Sequence, residues 1–71
     1  MMTQCISAKA FHPMRGHVED GAEVLFSDGR RLTIKAGGVG GWNLVDTEGH
    51  VVAAADGAFD LTAQIVKLEA A

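Results

Sequence analysis

Asp20-Gly21, Asp28-Gly29, Glu48-Gly49 and Asp56-Gly57 each place an acidic residue directly before glycine, and short apolar, partly alternating stretches lie between them. Such pairs build tight turns. The acid's short side chain bonds nearby backbone amides, while glycine takes positive φ without a Cβ clash. Turns this closely spaced leave room for strands rather than long helices. The expected fold is all-β, a small antiparallel barrel or sandwich of five to six strands.

Loop length decides the register. A two-residue loop at Asp28-Gly29 would set Phe26 opposite Arg31 and Val24 opposite Thr33, dividing the apolar residues between two faces. A three-residue loop, Ser27-Asp28-Gly29, pairs Val24 with Leu32 and Ala22 with Ile34 and puts Gly29 in the left-handed position of a bulged turn. The same rule at Thr47-Glu48-Gly49 pairs Val45 with Val51, Leu44 with Val52 and Trp42 with Ala54. At Ala55-Asp56-Gly57 it pairs Val51 with Leu61 and Ala53 with Phe59, completing a three-strand meander.

The ends are less regular. Ile6, Ala8 and Ala10 alternate with Ser7 and Lys9, which suits an N-terminal arm or edge strand over residues 3–11, ended by His12-Pro13. Phe59, Leu61, Ala63 and Ile65 alternate as a strand would, although Leu61, Ile65 and Leu68 also share a helical stripe with Asp60 as its N-cap. A strand with a short helical tail is the expectation. Gly37-Gly38-Val39-Gly40-Gly41 joins the two hairpins and is expected to be a flexible loop.

With 71 residues the chain is expected to form one domain, and a domain this size buries only about 60% of its unfolded surface. Eleven of its apolar residues are alanine, so bulky core material is scarce and a binding partner would add stability. A single cysteine, Cys5, excludes an internal disulfide and fits a reducing compartment. Met1-Met2-Thr3-Gln4-Cys5 lacks the basic-then-apolar pattern of a signal peptide, so the expected location is cytoplasmic, or a virion if the chain is phage-encoded. The net charge is −3, and the carboxylates concentrate in the second half, where Asp46, Glu48, Asp56, Asp60 and Glu69 face only Lys67. That balance disfavours nucleic acid.

No catalytic or ligand signature stands out. The glycine loop is followed by Trp42, with neither the Lys-Ser/Thr of a P-loop nor the GxGxxG spacing of a dinucleotide site. Cys5, His12, His17 and His50 match no zinc spacing, and Ser7 and Ser27 lie in no nucleophile elbow. The acid pairs Glu19-Asp20 and Asp46/Glu48 flank turns, where conformation explains them. No enzyme, cofactor, metal or small-molecule substrate is expected. Arg30, Arg31 and Lys35 form the single basic patch, and the candidate partner-binding residues are Ile6, Ala8, Ala10 and Phe11 of the arm, Arg30 and Arg31 of that patch, and Trp42, the single tryptophan.

Ala8-Lys9-Ala10-Phe11, followed by Gly16, Gly21 and Glu23-Val24, resembles the opening of small phage and prophage proteins encoded among head and tail genes. The resemblance covers about a third of the chain, and implies an accessory part packed within a virion. Two functions follow as expectations. One is a structural, protein-binding subunit that joins its neighbours, or copies of itself, through its arm and sheet edges. The other is a small inhibitor or adaptor that covers a basic surface of a host protein with its acidic C-terminal half.

Overall fold

A computed structural model describes residues 5–12, 18–37 and 41–70. Strand β1 (Cys5–Ser7) runs into a 3₁₀ turn (Ala8–Ala10), followed by β2 (Glu23–Leu25), β3 (Arg31–Ala36), β4 (Trp42–Val45), β5 (Val51–Ala55) and helix α1 (Ala58–Ala70). The five strands form one sheet in the order of the chain, β1 parallel to β2 and every later pair antiparallel. Among the described residues β1 and β5 do not meet. The sheet is open, with an edge at each end, and is neither a closed barrel nor a sandwich.

Three of the acid-glycine pairs form turns with glycine at positive φ: at Asp20-Gly21 the Ala22 N–H donates to the Glu19 carbonyl (3.1 Å) with Gly21 at φ +94°, and two others close hairpins. Between β2 and β3, the Phe26 N–H donates to the Arg30 carbonyl (2.9 Å) and the Gly29 N–H to the Phe26 carbonyl (3.0 Å), with Gly29 at φ +95°. Between β4 and β5, the Asp46 N–H donates to the His50 carbonyl (2.9 Å) and the Gly49 N–H to the Asp46 carbonyl (3.1 Å), with Gly49 at φ +89°. Both are three-residue loops. The pairs Val24 with Leu32 and Val45 with Val51 follow from them, and the Ile34 N–H reaches the Ala22 carbonyl (2.7 Å) to continue the first ladder. The stabilising acid in the second turn is Asp46, whose Oδ1 accepts from the N–H groups of Glu48 and His50, both at 2.9 Å.

The core lies on one face of the sheet. Registers align Ile6, Val24 and Leu32 in one row and Ile34, Leu44 and Ala53 in the next; Ala53 is half-buried and the rest are buried. Alternate residues on the strands point away from that face. Leu61 and Ile65, one turn apart on α1, are fully buried in the same cluster, which also takes in Ala8, Phe11, Ala22, Phe26 and Ala55, with Leu68 packed against it. Each large buried aliphatic side chain contributes about 1.5–3 kcal/mol.

Three expectations are corrected. The strand expected over residues 59–65 is a 13-residue helix. Ala58, Ala63 and Ala70 favour helix, and an open sheet needs a cover with apolar residues at positions i, i+4 and i+7, which Leu61, Ile65 and Leu68 supply. Asp56-Gly57 therefore starts that helix rather than turning a hairpin: the Leu61 N–H donates to the Gly57 carbonyl (2.9 Å), and Asp60, inside the first turn, accepts from the Asp56 N–H (3.2 Å). Second, a bulge between Leu44 and Val45 moves the pairing to Leu44 with Ala53 and Trp42 with Ala55, one residue beyond the expected partners. Third, the pairing of β1 with β2 is parallel rather than antiparallel. Of the expected flexible loop, residues 38–40 lie outside the described residues; the Gly37 N–H donates to the Gly41 carbonyl across its base (2.7 Å).

No atoms lie within 4 Å of a Cβ built on Gly29 or Gly49, so a side chain there meets backbone strain alone. Gly29→Val and Gly49→Val are each expected to lower stability by about 1–3 kcal/mol. Urea unfolding should show an earlier midpoint with an unchanged slope.

Candidate interaction surface

The turn between β2 and β3 grips the last turn of α1. Arg30 lies with its guanidinium 4.8 Å from the centroid of the Phe26 ring, donates from Nε to Asp28 Oδ2 (2.6 Å), and donates from Nη2 to the Leu68 carbonyl (2.6 Å). A cation at a helix C-terminus satisfies an orphan carbonyl and complements the negative end of the helix dipole. The Ser27 hydroxyl and backbone N–H both donate to the Glu69 carboxylate, the latter at 3.2 Å. These contacts span 38 and 42 residues of sequence.

The arm is equally integrated. Ile6, Ala8 and Phe11 are buried in the chain's own core, while Ala10 is exposed. Trp42 is half-buried and packs against that core. Arg31 is exposed on β3, whereas Arg30 holds the helix. The structure thus spreads the seven sequence-identified residues over the core, the helix clamp and the surface, and does not gather them into one site.

What stands open is the far edge of the sheet. β5 consists of Val51, Val52, Ala53, Ala54 and Ala55, and pairs only with β4 among the described residues. Val51 is 58% exposed, Val52 46%, and Ala54 is exposed as well. Edge strands are ordinarily blunted by lysine, proline or an inward-pointing charge, and β5 has none of these. Its bulge is the one such device present. The expected meander places residues 59–61 beside this strand; that segment is helix instead, and the side stays unpaired among the described residues.

Other chemistry is sparse. Among the described residues no three His, Cys, Asp or Glu side chains are grouped to hold a metal ion, and no helix is long and apolar enough to cross a membrane. A shallow groove beside β5 is lined by Arg30, Arg31, Asp46, Thr47, Val52 and Leu68, with Gly29 and Leu32. It offers one mixed-charge wall and no group poised for acid–base work. No known protein family, no curated protein and no solved structure matches the chain.

Three carboxyls engaged in these contacts sit below their ordinary values. The Ser27 hydroxyl is the main cause at Glu69, ordinarily 4.5; the Arg30 N–H at Asp28, ordinarily 3.8; and the His50 N–H at Asp46, ordinarily 3.8. Because the folded carboxyls bind protons less readily than the unfolded ones, their stabilisation is complete above the ordinary values and is lost as the pH falls through the lowered ones. The melting temperature is therefore expected to hold near neutrality and to drop on acidification into that range. Glu69→Gln should flatten part of the drop, measured by thermal melts across the acid range.

Proposed function

We propose that the chain is a non-enzymatic protein-binding module, an accessory subunit that assembles with neighbouring proteins through the edge of its sheet. The observation that carries this is β5, a five-residue apolar edge without charge or proline. An extended segment of a partner adds to such an edge through backbone hydrogen bonds, and its alternate side chains pack beside Val52 and Ala54. The small core is consistent with a domain that gains stability on assembly. The resemblance of about a third of the chain to small phage and prophage proteins encoded among head and tail genes supports a minor component of a phage particle as the setting, and otherwise the cytoplasm.

The adaptor reading draws less support. Asp46, Asp60 and Glu69, three of the five carboxylates in the acidic half, accept hydrogen bonds from the chain itself, so much of that charge serves turns, the helix start and the clamp.

Selection of displayed extended peptides against the folded protein, followed by amide exchange, tests the proposal. Bound peptides should protect the amides of β5, and Val51→Lys should remove binding while stability changes by no more than ~0.5 kcal/mol. Peptides that protect α1 or the arm instead, or binding that weakens steeply with salt, would overturn the edge mode.

A further inference from the structure

Helix α1 has two apolar stripes, and the sheet uses one. Leu61, Ile65 and Leu68 face the core. On the solvent side Phe59, Ala63, Val66 and Ala70 follow one another at intervals of four, three and four, which aligns them along a single seam. The outer face of a surface helix is ordinarily polar. Here Phe59 is 71% exposed and Val66 58%, and Phe59 is the most exposed large hydrophobic residue described.

From this seam we infer that α1 pairs antiparallel with α1 of a second copy of the chain, about a two-fold axis. A two-fold contact must be complementary to itself. An antiparallel pairing that sets Ala63 opposite Val66 of the second copy also sets Phe59 opposite Ala70, so every level joins a large side chain to a small one. A parallel pairing would stack Phe59 on Phe59 and carry the Asp60 and Lys67 flanks of the two copies to opposite sides, where they form no pair.

The charges beside the seam agree. Asp60 and Lys67 lie seven residues apart on one flank of it, both exposed, and among the described residues Lys67 has no ion-pair partner. The antiparallel arrangement brings Asp60 of each copy near Lys67 of the other, giving two opposite-charge pairs from one helix. It also sets the helix dipoles in opposition. A seam of four residues per copy is smaller than the ~800 Å² per partner of a standard interface, so the dimer depends on concentration. This surface is distinct from the β5 edge, and the inference does not rest on the edge-binding function.

Sedimentation of the full chain over a wide concentration range tests it. The wild type should pass from monomer to dimer, and Val66→Glu should remain monomeric with an unaltered melting curve. Lys67→Asp alone and Asp60→Lys alone should each weaken self-association by about tenfold, since each replaces two attractions by two repulsions. Mixed, the two variants should dimerise with each other, because every cross pair is again of opposite charge; a variant that merely damaged the helix would not be rescued by mixing. A wild type monomeric at every concentration, association untouched by Val66→Glu, or a mixture no better than its components would each overturn the pairing. Association abolished by Val51→Lys but kept by Val66→Glu would overturn it while leaving the edge function standing.

Discussion

A single sheet with apolar side chains along one face cannot persist until that face is covered, and in this chain α1 is the cover. Leu61 and Ile65 close over Val24, Leu32, Ile34 and Leu44, and the core exists only while they are in place. Removing either would leave a cavity bordered by residues from several strands, of the kind that costs about 2–5 kcal/mol. The rest of the architecture serves this contact. The two hairpins bring the rows of apolar residues into line, the 3₁₀ turn tucks Ala8 and Phe11 beneath the helix, and the Arg30 and Ser27 contacts hold the helix's final turn against the first hairpin.

That last arrangement shows how a short chain economises on stabilising groups. Arg30 stacks on Phe26, pairs with Asp28 and caps a helix carbonyl at once, and Glu69 takes two donors from Ser27. Because these groups are partly exposed, each pair is modest by itself. Together they bind the two ends of the fold, since the turn they occupy is the tip of the β2–β3 hairpin and the helix is the last described element. The same turn that organises the sheet therefore also orients its cover.

Covering one face with one helix leaves two surfaces over, the β5 edge and the outer stripe of α1. They stay open for different reasons. A strand at the end of an open sheet has backbone groups with no neighbour on one side, and a helix that follows it immediately cannot return to shield them. The outer stripe is a separate excess, because Leu61, Ile65 and Leu68 alone would suffice for the core. Neither surface coincides with the arm and basic residues that the sequence singled out, since Ile6, Ala8 and Phe11 became core and Arg30 became part of the helix clamp.

Two hairpin turns were legible because their chemistry is local: an acid beside a glycine, with alternating residues on both sides, favours a three-residue loop, and so Val24 met Leu32 and Val45 met Val51 as the spacing required, while the same signal at Asp56-Gly57 opened a helix. The apolar rows on Val24, Leu32, Ile34 and Leu44 follow from the same period of two. The helix was half-legible, since Leu61, Ile65 and Leu68 carry its stripe while Phe59, Leu61, Ala63 and Ile65 equally spell a strand, and two periods that fit one segment are separated only by what the segment packs against. The bulge at Val45, the parallel placement of β1, the grip of Arg30 and Ser27 on residues about forty positions away, and the unpaired edge of β5 were left to tertiary structure. Each depends on which elements lie side by side in space, and a local pattern in the chain carries no record of distant neighbours.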